Sequence, residues 1–252
     1  MAKTIGQVIR EDVLTGFCDP SCEVCKGQGY IRYDFPTHDR RFGKLFPCPK
    51  RMMAHLAANG AGGLDADEVR ELSWDKVYDG ISHGHRARDA GMELFEKGYG
   101  LLFLYGSYGQ GKTLVLKIGV ASALRKGIPA AYANMSGILD DIRSAYDAME
   151  SKSTELSRRM DKWMGVDVLA IDELDKANQT QWAREKIHQL LDLRYTRAVR
   201  EEAITMVAAN LGEGFDSLDG YLASRLRDNR VGTLVQLNGP DGRTVMKEGW
   251  RW

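Results

Sequence analysis

One stretch of eight residues has the types and spacing needed to bind a phosphate. It reads Gly106-Ser107-Tyr108-Gly109-Gln110-Gly111-Lys112-Thr113, and it follows an apolar run and opens a helical pattern. This is the P-loop pattern, in which glycines let backbone N–H groups curl around phosphates at a helix N-terminus. We expect Lys112 to reach the β- and γ-phosphates and the Thr113 hydroxyl to bind Mg²⁺. A glycine-rich turn without a ligand is the alternative, and the complete pattern disfavours it.

Two further groups of polar residues come after apolar runs. Asp172 and Glu173 follow residues 168–171, and Asn210 follows residues 204–209. Polar side chains at the carboxyl ends of parallel strands meet at the ligand-binding edge of an open α/β sheet. We expect Asp172 to hold the Mg²⁺ shell, Glu173 to polarise the attacking water as general base, and Asn210 to orient that water or sense the γ-phosphate. Taken alone, the two acids are also typical of a strand entering a loop, and the amide is typical of a turn.

All the cysteines lie in the first fifth of the chain, as Cys18, Cys22, Cys25 and Cys48. In a reducing compartment such clustering favours a metal over disulfides. A close group of cysteines with a distant fourth ligand meets the requirement of tetrahedral Zn²⁺ for soft ligands, so we expect a zinc site. The alternatives are a set of reduced, buried cysteines, or a site in which His38 replaces Cys18.

The stretch around the cysteines is basic and aromatic. From Lys26 to Arg51 the basic residues exceed the acidic ones by five. A basic surface with interleaved aromatic rings is typical of modules that follow a phosphate backbone and stack on bases, so single-stranded DNA is an expected partner. A solvated basic face, or an acidic protein partner, fits the same pattern. The basic residues are Lys26, Arg32, Arg40, Arg41, Lys44, Lys50 and Arg51, against Asp34 and Asp39; the rings are Tyr30, Tyr33, Phe35, Phe42 and Phe46.

Short apolar runs that alternate with amphipathic stretches must position these residues. Such alternation predicts the α/β class, with a parallel sheet flanked by helices. The predicted strands are residues 101–105, 130–134, 166–171, 203–208 and 233–237, and the clearest helix is 112–126. We expect a small zinc-binding module over residues 1–52, a helical connector over 53–98 with helical stretches at 53–58 and 65–72, and a nucleotide-binding domain over 99–252.

Composition excludes several other classes of protein. The 252 residues are 43% hydrophobic and 28% charged, which excludes a wholly disordered or fibrous chain. Lys plus Arg and Asp plus Glu both number 35, so a contact with nucleic acid has to come from a local patch. The apolar runs are far shorter than the ~20 residues that span a bilayer, and no signal segment is evident, so we expect a cytoplasmic protein with no membrane partner.

From about Trp74 onward the chain resembles AAA+ ATPases of the DnaC/DnaI helicase-loader type and their relative IstB. The resemblance rests on the two nucleotide motifs in order with Tyr132-Ala133-Asn134, Leu190-Leu191-Asp192-Leu193-Arg194-Tyr195 and Ser224-Arg225-Leu226. It implies an AAA+ core over 99–252, with Asn210 as sensor 1 and Asn134 as a switch residue that contacts Glu173. It also implies that Arg225 is the arginine finger, with Arg227 and Arg230 as alternatives, and that ATP sites are shared between self-associated protomers. The ~25 residues after Arg227 are too few for the usual helical lid, so we assign no sensor 2.

The resemblance implies an ATP-hydrolysing protein that uses ATP, Mg²⁺ and Zn²⁺ and loads a hexameric replicative helicase during phage or bacterial DNA replication. An IstB-like transposition helper that binds DNA is the first alternative, and the zinc module does not separate the two. A small-molecule P-loop kinase is the second alternative, although it has no need of Glu173 together with Asn210 and Arg225. The presence of Glu173 also disfavours a module that binds ATP without hydrolysing it.

Overall fold

The structure of the protein is a computed structural model that describes residues 18, 20–37, 42–48, 50–51, 61–77, 84–146, 152–177, 180–211, 219–239 and 241. The strands are β1 (Tyr30–Ile31), β2 (Phe46–Pro47), β3 (Gly100–Gly106), β4 (Ala130–Asn134), β5 (Val168–Asp172), β6 (Ile204–Ala209) and β7 (Gly232–Leu237). Five of them form a parallel sheet in the order β4-β5-β6-β3-β7. The first two pair antiparallel in the cysteine-containing part of the chain.

The predicted parallel sheet is confirmed. Strands β5 and β6 are buried along their whole length, and β3 is buried at all but one residue. Strands covered on both faces are near-continuous apolar runs, which is why the sequence showed them clearly. The predicted bounds are correct to within two residues, and the largest shift is in β5, which was predicted to begin at residue 166. Because β5 ends at Asp172, that carboxylate lies at the carboxyl edge of the sheet.

Helices cover both faces of the sheet. They are α1 (Ala66–Glu71), α2 (Gly84–Lys97), α3 (Lys112–Arg125), α4 (Met135–Arg143), α5 (Lys152–Gly165), α6 (Gln181–Val199) and α7 (Gly220–Leu226). Helices α1, α2 and α3 contribute to the apolar cluster on one face, and α4 to α7 contribute to the cluster on the other. No helix within the described ranges combines the length and the apolar character needed to cross a bilayer.

Alternate residues of each strand face opposite clusters. In β3, Leu102 and Leu104 belong to the cluster shared with α3, whereas Leu101 and Phe103 belong to the other. This is the two-residue periodicity of an extended chain. Val168 and Ala170 of β5 also face α3. Asp172 continues that face, so the sheet presents its carboxylate on the side of the helix that follows the P-loop.

The stretch predicted as a helical connector packs onto this same face. Asp65 caps α1, since its side chain accepts from Glu68 N at 2.7 Å while Glu68 Oε2 accepts from Asp65 N at 3.1 Å. Arg125 of α3 donates to the carbonyl of Val69 at 2.5 Å and to that of Leu72 at 2.6 Å. These bonds satisfy carbonyls at the end of α1 that have no helical partner. The helix expected at residues 53–58 lies outside the described residues, which resume at Ala61.

Candidate active site and metal centre

The predicted P-loop connects β3 to α3 in the expected order. Gly106 ends β3 with φ 140°, and an added Cβ there would lie 1.9 Å from the carbonyl oxygen of Leu237 in β7. Gly111 precedes α3 with φ 77°, a left-handed conformation that glycine adopts without steric cost. Gly106 therefore allows the close approach of β7, and Gly111 allows the tight turn into α3.

Lys112 and Thr113 begin α3 and point in different directions. Lys112 is buried, and its Nζ donates to the carbonyl oxygens of Gly106 at 3.0 Å and Ser107 at 2.6 Å. The ammonium thus lies against the backbone of the loop. The Thr113 hydroxyl donates to Asp172 Oδ2 at 2.6 Å, which joins the P-loop directly to the end of β5. A hydroxyl and a carboxylate at this distance are both oxygen ligands of the kind that Mg²⁺ binds.

Asp172 is buried and held by three hydrogen bonds. Besides the Thr113 bond, its Oδ2 accepts from the Tyr132 phenol at 3.0 Å, and its Oδ1 accepts from the backbone N–H of Glu173 at 2.9 Å. Burial raises the pKa of the Tyr132 phenol, and the charge of Asp172 raises it further. Tyr132 therefore keeps its proton and remains a donor. The sequence analysis did not predict a role for Tyr132 at this site.

Glu173 lies on a sharp turn directly after β5. Its φ of 53° is left-handed, which costs ~1–2 kcal/mol for a residue with a side chain. Its carboxylate forms an ion pair with Lys176, whose ammonium lies 5.8 Å from the ring centroid of Tyr108 in the P-loop. The hydrogen bond to Glu173 raises the pKa of Lys176. The turn thus places the predicted general base beside the P-loop, in contact with a lysine that the sequence analysis did not single out.

Asn210 follows β6 and is fixed by an acid from the turn after β5. Asp175 Oδ1 accepts from Asn210 N at 2.7 Å, and Asp175 Oδ2 accepts from the side-chain Nδ2 at 3.3 Å. The predicted sensor side chain is therefore tied to the same turn that carries Glu173. The sequence analysis missed Asp175, although a third acid three residues after Asp172 was the available signal.

Asn134 ends β4 in register with Asp172 of β5. Its side chain accepts from Gly137 N at 2.7 Å and so caps α4. Among the described residues no hydrogen bond joins Asn134 to Glu173. The switch role inferred from the resemblance stays a prediction.

Arg225 lies on α7 in a cradle formed by its own chain. Its Nε donates to Asp192 Oδ1 at 2.6 Å, and its guanidinium lies 3.6 Å from the ring centroid of Tyr221. The Tyr221 phenol donates to the same Asp192 oxygen at 3.0 Å. Although burial favours the neutral acid, the hydrogen bond from Arg225 lowers the pKa of the Asp192 carboxyl. Asp192 and Tyr221 together therefore fix the orientation of the Arg225 guanidinium.

The other two candidate finger residues have different surroundings. Arg230 pairs with Asp228 at 2.6 Å and donates to the Tyr195 phenol at 3.3 Å. Arg227 is exposed and is the C-terminal cap residue of α7. The guanidinium of Arg225, by comparison, is stacked on the Tyr221 ring at 3.6 Å from its centroid.

The four cysteine thiols converge as a metal site requires. All four Sγ atoms lie within 4.8 Å of one another, with Cys22 Sγ 3.7 Å and Cys18 Sγ 4.0 Å from Cys48 Sγ. Four thiolates at ~2.3 Å from a tetrahedral Zn²⁺ lie about 3.8 Å apart, so the separations fit this ion. The backbone N–H of Cys25 lowers the pKa of the Cys22 thiol, whereas burial raises the pKa of the Cys18 and Cys48 thiols. His38, the alternative ligand, lies outside the described residues.

Three of the aromatic rings near the cysteines are used in packing. Tyr33, Phe35 and Phe46 lie with their ring centroids 5.3 to 6.0 Å apart in tilted or edge-to-face contacts. The Tyr33 phenol also donates to the carbonyl of Lys126, at the end of α3, at 3.1 Å. These rings stabilise the module and its contact with the sheet domain, whereas Phe42 is 53% exposed and accessible for stacking. Arg40, Arg41 and Asp39 of the predicted basic surface lie outside the described residues.

Comparisons with known proteins agree with this fold. The DnaC helicase loader matches with a TM-score of 0.51 and 21% identity over 68% of this chain and 98% of that one. Domain III of the Thermotoga maritima replication initiation protein DnaA matches with a TM-score of 0.55 and 18% identity, over 69% of this chain and 70% of that one. The replication initiator DnaA bound to AMPPCP and single-stranded DNA matches with a TM-score of 0.55 and 18% identity over 68% of this chain and 50% of that one. This chain thus spans about half the length of that DnaA chain.

At these identities the likeness is one of fold. No curated protein sequence matches the chain significantly. The sequence model of one family matches residues 102–232, which is more than half of the chain and includes the P-loop, Asp172, Glu173, Asn210 and Arg225. The protein therefore belongs to the ATPase family associated with various cellular activities (AAA).

Proposed function

We propose that this protein binds ATP with Mg²⁺, hydrolyses the nucleotide to ADP and phosphate, and in doing so loads a replicative DNA helicase. The observation that supports hydrolysis is the convergence of three elements at one edge of the sheet. Thr113 of the P-loop contacts Asp172, Glu173 follows Asp172, and Asp175 ties Asn210 to the same turn. Binding alone has no need of an acid at the position of Glu173.

The residues divide the chemistry among them. Lys112 and the loop N–H groups bind the β- and γ-phosphates, while Thr113 and Asp172 would hold Mg²⁺, which neutralises charge on the phosphate oxygens when bound. Glu173 accepts a proton from the attacking water as its oxygen bonds to the γ-phosphorus. The bond from that phosphorus to the bridging oxygen breaks, and ADP leaves.

Arg225 acts on the nucleotide of a neighbouring protomer in this proposal. It lines a small cavity with Leu101 and Thr205, the second residues of β3 and β6, whereas the P-loop begins at the last residue of β3. Five residues of extended strand cover about 17 Å, so the Leu101 end of this cavity is well separated from the P-loop of the same chain, while Val207, which also lines the cavity, lies in the middle of β6. An arginine in this place serves a phosphate of another chain, which requires self-association.

Helicase loading is the role favoured by the relatives and by the second module. The chain shares its fold with the DnaC helicase loader over nearly the whole length of that protein, and with a DnaA bound to single-stranded DNA. In our proposal the four cysteines bind Zn²⁺ and fold a module whose exposed Phe42 and basic residues contact single-stranded DNA. The helicase then contacts the assembled ATPase domains.

Two measurements test this function. Incubation with γ-labelled ATP and Mg²⁺ should release free phosphate; label transferred to a nucleoside or another small molecule would indicate a kinase instead. In the presence of ATP, the immobilised protein should capture a purified hexameric replicative helicase, and Lys112→Ala protein should capture much less. Capture of a transposase in place of the helicase would overturn the loading role and favour the transposition alternative.

A further inference from the structure

Tyr132 brings a hydrogen-bond donor to Asp172 from the neighbouring strand. It lies in β4 in register with Ala170, two residues before the Asn134–Asp172 pair. Residues two apart on a strand share a face, so Tyr132 lies on the same side of the sheet as Asp172. Its phenol reaches Asp172 Oδ2 at 3.0 Å.

The phenol completes the set of donors that fixes the carboxylate. Without it, Oδ2 would keep only the bond from Thr113 at 2.6 Å, and Oδ1 only the bond from Glu173 N at 2.9 Å. Thr113 is itself a predicted Mg²⁺ ligand, and its hydroxyl hydrogen can rotate away from Asp172. Tyr132 is therefore the one side chain bonded to Asp172, among the described residues, that has no predicted contact with nucleotide or metal.

Tyr132 is itself supported by residues of the segment that precedes β3 in the chain and by Lys117 of α3. Lys117 of α3 lies 5.4 Å from the Tyr132 ring centroid and pairs with Glu68 of α1 at 2.5 Å. The backbone of Gly63 packs against the Tyr132 carbonyl so closely that an added Cβ would lie 1.9 Å from its oxygen. The segment that precedes the sheet domain thus supports the ring and the backbone of this residue.

We propose that Tyr132 is a positioning residue, which holds the Asp172 carboxylate in the orientation that binds the Mg²⁺ of the nucleotide. This inference rests on the proposed ATPase function. Partners that orient a metal ligand from outside the first layer change metal affinity by ~10–100-fold. Loss of the phenol oxygen should therefore weaken the metal and leave the metal-free nucleotide contacts of the P-loop in place.

Tyr132→Phe tests the inference, because it removes only the phenol oxygen. With a non-hydrolysable ATP analogue bound, electron paramagnetic resonance of Mn²⁺ should show an affinity at least ~10-fold weaker than in the wild type. The affinity for a fluorescent ADP in EDTA should stay unchanged. The matched control is Tyr99→Phe, which removes a phenol that contacts Glu201. Tyr99 comes just before the first residue of β3, at the edge of the sheet opposite to Asp172. The Mn²⁺ affinity of Tyr99→Phe should equal that of the wild type.

Equal Mn²⁺ affinity in Tyr132→Phe and wild type would overturn the inference while leaving the proposed ATPase function intact. A wild-type protein that binds no Mn²⁺ with the nucleotide would instead contradict the proposed function. Should Tyr132→Phe fold poorly, 3-fluorotyrosine at position 132 of the full chain gives a second measurement. Its ¹⁹F resonance should shift when Mg²⁺ joins bound nucleotide, whereas the same label at position 99 should not; an unmoved resonance at 132 would contradict the inference.

Discussion

At the scale of single residues, the site consists of polar and charged groups that hold one another in place. Asp175 fixes Asn210, Lys176 pairs with Glu173, and Asp192 orients Arg225. Each of these supporting residues belongs to the same chain as the group it contacts. The chemistry proposed for Glu173, Asn210 and Arg225 therefore depends on positions that contacts within one chain determine.

Glu173→Gln should separate ATP binding from hydrolysis. The amide keeps the size of the side chain but cannot accept the proton, so turnover should fall by ~10²–10⁴-fold. Affinity for a fluorescent ATP analogue should persist, since Lys112 and the loop make the ground-state contacts. Phosphate release and nucleotide titration measure the two quantities.

Two further variants serve as controls for Glu173→Gln: one should leave ATP hydrolysis unchanged, and the other should abolish ATP binding. Glu71→Gln, which alters an exposed acid paired with Lys76 at 3.9 Å, should hydrolyse ATP at the wild-type rate. Lys112→Ala should lose binding as well as turnover. Undiminished turnover in Glu173→Gln would remove this residue from the mechanism.

The sequence predicted the candidate site residues that belong to a recognisable motif. It did not predict Tyr132, whose place at the site depends on how two strands pair. The P-loop and Asp172 could be predicted because phosphate and Mg²⁺ demand these residue types in a fixed order. Tyr132 could not be assigned to Asp172, because its role depends on the β4–β5 register. A register is a long-range property that spacing along one strand does not contain.

At the scale of elements, the apolar runs in the sequence predicted the strands. They did not predict the buried charge of Arg194. Arg194 of α6 is fully buried, donates to Thr205 Oγ1 at 2.8 Å, and donates to the carbonyls of Val166 at 2.6 Å and Ile204 at 2.5 Å. Burial lowers its pKa to about 9. Because arginine is charged, a hydrophobicity pattern predicts that Arg194 faces solvent. Arg194 instead joins α6 by hydrogen bonds to the residues at the starts of β5 and β6.

The cysteine module should depend on Zn²⁺ for its fold. Its described apolar contacts are the cysteines with Ile31 packed against them and the three rings of Tyr33, Phe35 and Phe46, and its two strands are two residues long. So little buried surface cannot offset the entropy of folding, so metal-binding energy has to supply the difference. We expect one zinc per chain by metal analysis, lost in Cys22→Ser or Cys25→Ser, with proteolysis confined to the module and an intact ATPase domain.

A control within the module makes the zinc result specific. Val24 lies between two ligand cysteines and is 44% exposed, so Val24→Ser should retain the metal. Protein free of zinc whose module nevertheless resists protease would contradict the prediction. Proteolysis of the whole chain would instead indicate that module and ATPase domain fold as one unit through contacts such as Tyr33–Lys126.

At the scale of the whole molecule, each face of the assembly should contribute half of an ATP site. The P-loop lies at the carboxyl edge of the sheet, and Arg225 lines a cavity that extends from Leu101 and Thr205, near the strand starts, to Val207 in mid-strand. In the proposed function, a ring or filament of chains would bring these two regions together. Hydrolysis should accordingly rise more steeply than protein concentration.

Mixing two inactive variants tests the action of Arg225 in trans. Arg225→Ala should lose ~10³–10⁵-fold in rate, because no guanidinium then stabilises the transition-state charge. Lys112→Ala should be inactive for want of nucleotide. A mixture contains interfaces that join an intact P-loop to an intact Arg225, so measurable phosphate release should return.

Arg227→Ala and Arg230→Ala serve as comparison variants for the same assay. Both should keep most of the wild-type rate if Arg225 is the finger. An Arg225→Ala protein that is fully active alone would dismiss the assignment. Loss of activity in one of the other two variants, with rescue on mixing, would transfer the role to that residue.

The position of β3 in the sheet has a consequence for how the protein is made. Its hydrogen-bonding neighbours, β6 and β7, are the last two strands of the sheet in chain order, and Gly106 packs directly against Leu237 of β7. A ribosome adds about 5–20 residues per second, so the P-loop sequence emerges on the order of ten seconds before the strands that flank it. During that interval the nascent chain carries the motif without a pocket. A nucleotide held by this loop would therefore stabilise only a domain whose last strands have already been made.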